Sequence, residues 1–375
     1  MAGDGSRGAR PAVLAVDGGN SKVDAVLIGR AGGVLGAGRQ GRASSGDGTE
    51  PLSEAIRAAC SDAGRPADGR PVAPVGVFCM AGADFPVDER RIARALAAGR
   101  WADRAVVHND TFAVLRAGSH RGWGVAVVCG AGMNCLGLGR DGRHVRFPAF
   151  GPLSGDLAAG GEWVGLAALG AAIRARDGRG PRTALERAVA EHFGAARPET
   201  VMQAMYRGRI SQRRLMELPP AVFDAAVSGD EVARAILDRL ADEVVTMATA
   251  TVRRLRAQRE EVEVVLGGGV FRARDPAFLA RIEAGVRAVA ARAVVRVLRA
   301  PPVLGAALMG LDEIGASARA QSRLETELGE ARLRSGHKMI RQGGSPAQRS
   351  AADQAAGLPR RRRPAESATP TIEGG

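Results

Sequence analysis

Six consecutive residues, Asp17-Gly18-Gly19-Asn20-Ser21-Lys22, combine a carboxylate, paired glycines, a hydroxyl and one of only two lysines in the chain. Glycine adopts positive φ without a Cβ clash and lets backbone N–H groups approach a ligand. Ser21, Lys22 and those amides suit a phosphate, and Asp17 suits a metal ion. An apolar run over 12–16 leads in and another over 25–28 follows, so the six residues form a turn between adjacent strands. A Walker A loop is excluded, because that motif needs G-x-x-x-x-G-K-[ST] opening a helix. An ordinary hairpin turn uses the same residues, and this stretch alone leaves both readings open.

The elements that must position such a turn alternate along the chain. After a flexible lead-in over 1–10, the pattern predicts strands around the Asp17 turn and a third strand opening at Val34-Leu35-Gly36. A Ser/Gly-rich loop spans 41–48. Leu52, Ala55, Ile56, Ala59 and Cys60 fall at helical spacing, which predicts a helix over 51–63. A buried strand over 74–80 ends in Ala81-Gly82-Ala83-Asp84, with a helix over 87–98 beyond it. A short strand over 105–107 runs into His108-Asn109-Asp110, with a helix over 111–117 next. Strand–helix alternation of this kind predicts an α/β half-domain.

The opening pattern then returns. A strand over 124–129 meets the glycine turn Gly130-Ala131-Gly132, a strand over 134–138 follows, and Asp141-Gly142 marks another hairpin. A loop, Gly151-Pro152-Leu153-Ser154-Gly155-Asp156, precedes helices over 157–176, 182–193, 199–206 and 231–257. A strand over 263–266 enters Gly267-Gly268-Gly269. A helix from 276, a strand over 294–298 and a last helix over 303–314 complete the pattern. The expected division is 11–117, then 118–316 carrying a helical insertion, then a basic and largely disordered tail over 317–375. Within that tail, 319–333 has the pattern of a charged helix, and Arg360 to Arg363 form a solvated arginine run.

Composition narrows the function classes. At 375 residues the chain suggests two domains plus appendages. Aromatics are only 3%, so Ala, Val and Leu must build the core. The net charge of +13 comes almost wholly from arginine, since Lys22 and Lys338 are the only lysines. No aromatic-interleaved basic patch accompanies it, so nucleic acid is not an expected partner. Cys60, Cys79, Cys129 and Cys135 form no CxxC and no zinc spacing, and buried free thiols are expected. With no signal peptide and no membrane-length apolar run, the reading is a soluble, reduced, cytoplasmic protein. Oligomeric state is not fixed by the sequence, and a homodimer is compatible with it.

The ordered set of the Asp17 turn, Asn109-Asp110, the Gly130 turn, Gly155-Asp156 and Gly267-Gly268-Gly269 resembles the N-acetylglucosamine kinase/BadF-BadG-BcrA-BcrD ATPase family of the actin/Hsp70/sugar-kinase superfold. The resemblance runs over 12–314. It implies an α/β fold of two ribonuclease-H-like domains around an ATP cleft. ATP would be bound by Gly18, Gly19, Asn20, Ser21 and Lys22, by Gly130, Ala131 and Gly132, and by Gly267, Gly268 and Gly269. Asp17 and Asp156 would face Mg²⁺. Asp110 matches the family's catalytic aspartate. Gly82, Ala83, Asn109, Asp110 and Asp156 would line a sugar site. From the residues alone, Asp110 and Asp156 also suit helix N-caps. His108 and Trp163 read as structural, while Glu162 is either a carboxylate behind the site or a solvated helix residue.

The implied activity is transfer of the γ-phosphate of ATP to a sugar hydroxyl, O6 of N-acetylglucosamine or glucosamine. Two alternatives accompany it: an ATPase that activates a partner enzyme, and a non-catalytic nucleotide or sugar sensor. Three departures bear on the choice. Ala131 and Met133 replace the usual Thr and Ser of the second phosphate motif. Leu157-Ala158-Ala159 follows Gly155-Asp156 where E-G-S is common. The 41–48 loop lacks the asparagine often found for N-acetylhexosamines.

Overall fold

The computed structural model describes residues 10–41, 49–65, 67–273 and 275–329. The first half of the chain contains β1 (Pro11–Gly18), β2 (Lys22–Gly29), β3 (Val34–Gly41), α1 (Thr49–Asp62), β4 (Ala73–Met80), α2 (Pro86–Gly99), β5 (Ala102–Asn109) and α3 (Asp110–Gly118). The second half contains β6 (Gly124–Cys129), β7 (Met133–Leu138), β8 (His144–Arg146), α4 (Gly160–Arg176), α5 (Leu185–His192), α6 (Pro198–Tyr206), α7 (Pro219–Val227), α8 (Glu231–Arg254), β9 (Glu263–Gly267), α9 (Pro276–Val289) and β10 (Val294–Val297). The helices α10 (Val303–Glu313) and α11 (Ala318–Leu328) follow.

Two five-stranded sheets result, ordered β3-β2-β1-β4-β5 and β10-β9-β6-β7-β8. These are one topology used twice. In each, three antiparallel strands are followed by two that run parallel to the first strand of the set. The returning glycine-turn pattern is therefore a structural repeat. Strands β1 and β2 are buried almost throughout, and such strands read as continuous apolar runs rather than as alternation. Strand β5 is longer than expected, because Asp103 and Arg104 face solvent and interrupt the apolar signal.

Helices cover both faces of the first sheet. Leu52, Ala55, Ile56 and Ala59 of α1 pack with Leu14, Val16 and Phe78 on one face. On the other, Val303, Leu304, Ala307 and Leu311 of α10 pack with Val13, Ala15 and Val77. Helix α10 thus returns to the first sheet, although the expected boundary at 117/118 placed it with the second. Helix α11 falls where the pattern of a charged helix was read over 319–333, and it packs on the fold. Ser317 caps it by accepting from Ala320 N, and Ala320, Leu324 and Leu328 are buried against the α10 layer. The arginine run and the rest of the expected tail lie outside the described residues.

The second sheet packs against α4 to α9 in one large core. Helix α7 was not expected. Pro219 and Pro220 open it, consistent with proline's fixed φ at a helix start, and Val222, Phe223, Ala225 and Ala226 are buried. Helix α4 begins at Gly160 rather than near 157. All four cysteines are free and buried. No described helix is long and apolar enough to cross a membrane.

Helix α3 is the strut between the sheets. Ala113 joins the core on the α10 side, whereas Val114 and Leu115 pack with Ala126, Leu136 and Val265 of the second sheet. A Cβ at Gly305 would meet Ala113 O at 1.9 Å and one at Gly267 would meet Val114 Cγ1 at 2.6 Å. Both glycines let neighbouring backbone close onto this helix. Whatever α3 carries at its first turn is consequently fixed with respect to both sheets.

Candidate active site

In parallel α/β sheets, ligands bind beyond the carboxyl ends of the strands. In the first sheet those ends are aligned: Gly18 pairs with Met80, and Met80 with Asn109. Asp17, the loop after β4 and the start of α3 therefore emerge side by side. The second sheet repeats this. Val128 pairs with Gly267, so the Gly130 turn and the three glycines after β9 are neighbours. Gly268 has φ +104, and a Cβ there would lie 2.2 Å from Cys129 O. Only glycine accommodates both that dihedral and that approach.

The second turn is held from behind by α4. Gly161 N donates to Gly130 O at 2.8 Å and Glu162 N to Ala131 O at 3.0 Å. The first N–H groups of a helix need outside acceptors, and here the glycine turn supplies them. Gly160, with φ +79 and Gly132 O only 2.4 Å from where its Cβ would sit, makes the approach feasible. Gly160 and Gly161 were not singled out from sequence; a glycine pair opening an apolar helical pattern was the available signal. Met133 is buried, so the residue replacing the usual hydroxyl serves the core while the turn's backbone is retained. Glu162 is an exposed helix residue, and Trp163 packs against the core.

Burial raises three carboxyls here, Asp17, Asp84 and Asp110, the first and last most strongly. Asp17 is 5% exposed. Burial, partly offset by Lys22 and reinforced by Asp110, pushes its pKa up to about 8. Asp110, which keeps an edge open to solvent, is raised to about 6 by burial and then by Asp84, against a backbone N–H of Thr111 and Arg146. Acids perturbed this way where strands end are candidates for a reactive site. Asp24 is also desolvated, but Arg39 and Lys22 hold it below its ordinary range.

Asp110 is not the cap of α3. Asn109 is: its Oδ1 accepts from Thr111 N at 3.1 Å and Thr111 Oγ1 at 2.6 Å. Asp110 occupies the first helical position, where the helix dipole favours its anionic form. Asn109 Nδ2 donates to Asp84 Oδ1 at 3.0 Å, and Asn134 Nδ2, from the second sheet, reaches the same oxygen at 3.4 Å. Asp84 was missed as a site residue, although a carboxylate directly after Ala81-Gly82-Ala83 at a strand end was a legible signal.

Other expected residues sit differently. Lys22 is ion-paired to Asp24, within range of the Asp17 charge. Ser21 is exposed, and Gly19 N closes the first turn on Lys22 O at 2.9 Å. Gly82 adopts φ +81, whereas Ala83 is fully buried and offers its carbonyl rather than its side chain. Asp156 caps no helix; Ser154 Oγ donates to it at 2.7 Å within its own loop. His108 packs against Phe112 with ring centroids 5.0 Å apart and planes tilted by 36°, and burial lowers its pKa, consistent with a structural residue.

Among the described residues no three His, Cys, Asp or Glu side chains form a ready-made metal cluster. Mg²⁺ commonly takes only one or two protein carboxylates and completes its shell with water and phosphate oxygens. Asp17, buried beside Asp110, fits the carboxylate part.

A family model described as BadF/BadG/BcrA/BcrD ATPase family matches residues 14–310. Among curated proteins, the chain is 28% identical to an N-acetylmuramic acid/N-acetylglucosamine kinase of Clostridium acetobutylicum over 54% of this chain and 67% of that protein. It is 29% identical to an N-acetyl-D-glucosamine kinase of Dictyostelium discoideum, over 44% of this chain and 53% of that one. Among solved structures, an assigned N-acetylglucosamine kinase from Chromobacterium violaceum superposes with a TM-score of 0.62 at 25% identity, covering 80% of this chain and 99% of that one. A Thermus thermophilus ROK hexokinase shares the fold at a TM-score of 0.52 and 18% identity, covering 81% and 99%. With a match spanning most of its length and two sheets of one repeated topology, the chain belongs to the BadF/BadG/BcrA/BcrD ATPase family.

Proposed function

We propose that this protein is an ATP-dependent sugar kinase acting on an amino sugar of the N-acetylglucosamine type, with O6 as acceptor and glucosamine as a second candidate. The observation that carries the reading is Asp110: a carboxylate with its pKa near 6, at the first turn of the helix that joins both sheets. A general base works best with a pKa near the working pH, since it must be ionised yet still take a proton. Asp110 would accept the proton of the sugar hydroxyl. Asn109 caps the helix under it, and Asp84 and Asn134 complete the polar wall.

Phosphoryl transfer rests on positioning and charge neutralisation more than on covalent chemistry. The Gly18-Gly19 turn and the Gly130-Ala131-Gly132 turn would hold the phosphates from the two sheets, with Gly267-Gly268-Gly269 beside the nucleoside. Mg²⁺, held by Asp17, would neutralise developing phosphate charge. Asp156 is a weaker candidate for that ion, because its bond stays within its own loop. Burial of all four cysteines disfavours an activator ATPase with a cluster shared between subunits.

The test is ADP release with ATP and Mg²⁺ across amino sugars and neutral hexoses. Stimulation by one amino sugar, with matching sugar phosphate formed, supports the proposal. Sugar-independent hydrolysis favours a partner-activating ATPase. Nucleotide binding without ADP release favours a sensor.

A further inference from the structure

Strand β8 ends in Arg146, whose side chain leaves its own sheet and enters the loop after β4. Its Nη2 donates to Ala83 O at 2.6 Å and lies 3.7 Å from Asp84 Oδ1, while Nη1 reaches Glu89 Oε1 of α2 at 3.2 Å. Next to these contacts Phe85 stacks on Phe150, with centroids 5.6 Å apart and planes 18° from parallel. Two separate contacts therefore tie the first sheet's β4–α2 loop to the segment following β8 in the second sheet. The same loop carries Asp84, which binds Asn109 and Asn134. Asn109 caps the helix that begins with Asp110.

We propose that Arg146 is a positioning residue for the sugar site: a clasp between the sheets that fixes the 81–85 loop and, through Asp84 and Asn109, the wall around Asp110. The proposal rests on the kinase reading above. Arg146 is suited to this because a guanidinium presents several donors in a rigid fork, and here one fork meets a carbonyl and two carboxylates from one loop–helix segment. Two observations favour positioning over bulk stabilisation. The side chain is only 14% exposed, and a buried ion pair often adds little net stability over an apolar replacement. Of its partners, Asp84 contacts the Asn109 cap directly, and none belongs to the packed cores of the first sheet.

The experiment compares Arg146→Ala and Arg146→Lys with the wild type in two readouts. In sugar-dependent ADP release, Arg146→Ala should raise KM for the sugar at least tenfold and leave KM for ATP within twofold. Arg146→Lys, which keeps charge but not the fork, should fall between them. In hydrogen exchange of the ligand-free proteins, peptides covering 81–89 should exchange faster in Arg146→Ala, with β9 peptides unchanged. An unaltered sugar KM, or a parallel rise in both KM values with a lowered Tm, overturns positioning. Unaltered exchange over 81–89 overturns the clasp itself. If the wild type releases no ADP with any sugar, the kinase reading fails, and the exchange readout still decides the clasp.

Discussion

Replacing Asp17 with asparagine should stabilise the ligand-free protein and, on the kinase reading, abolish Mg²⁺-dependent ADP release. Burial lifts this carboxyl from 3.8 to about 8. The sign follows from proton linkage. A raised acid binds its proton more tightly in the folded state, so the folded protein is favoured below the ordinary pKa and loses that advantage as pH climbs toward the raised one. At ~1.36 kcal/mol per pKa unit, the cost to the folded state is ~4 kcal/mol at pH 7 and ~1.5 kcal/mol at pH 5. Asparagine carries no such cost and keeps the shape. Water entering the cleft and local relaxation reduce the realised gain to about half, since effective dielectric constants in proteins exceed the dry value. The variant should then melt about 4 °C above the wild type at pH 7, by the usual scaling for a chain of this size, and the gap should shrink at pH 5. Thermal melts at both pH values, with and without ATP and Mg²⁺, test this. Added nucleotide and metal should raise the melting point of the wild type by mass action, whereas in Asp17→Asn Mg²⁺ should add little beyond nucleotide alone. A variant that melts below the wild type at pH 7, or a gap that does not grow with pH, would refute the reasoning.

Asp110→Asn should lower kcat by a factor of about 10² to 10⁴ while sparing ATP binding, measured by ADP release and calorimetry. In the wild type, kcat/KM should fall about tenfold per pH unit below about 6, because the base must be ionised; a flat profile down to pH 5 would argue against Asp110 in that role. Gly268→Ala should abolish turnover and cost at least ~1–3 kcal/mol of stability, given φ +104 and the approach to Cys129 O. Glu263 accepts from Ser119 Oγ, His120 N and Arg121 N, fixing the crossing between α3 and β6. Although burial opposes it, these bonds hold the Glu263 pKa below 4.5, so their contribution is present above that pH and lost on acidification. Glu263→Gln should accordingly lower Tm at pH 7 and matter less at pH 4.

The repeated sheet was legible because its strands are buried and apolar and its turns carry glycine, signals contained within a few residues. The places of Asp110 and the three glycine segments at strand ends were legible for the same reason, since each follows an apolar run. Helix α11 was less so. Its charged sequence has only Ala320, Leu324 and Leu328 to bury, and that narrow stripe resembles a solvated tail until the surface it covers is known.

Arg146 was not legible at all, and the reason is physical. Its neighbours in sequence, Val145 and Phe147, describe an unremarkable edge strand, and its role is set by Ala83, Asp84 and Glu89, some sixty residues earlier. Local pattern encodes which face of an element is buried, but not which polar group from another sheet arrives at its end. Asp84 makes the contrast sharp. Its position after Ala81-Gly82-Ala83 could be read from sequence as a carboxylate at a strand end. That it is shared among Asn109, Asn134 and Arg146 could not, because those partners come from β5, β7 and β8. The residues that carry charge into the cleft follow from local rules, whereas those that hold the cleft together depend on how the two copies of the sheet face one another.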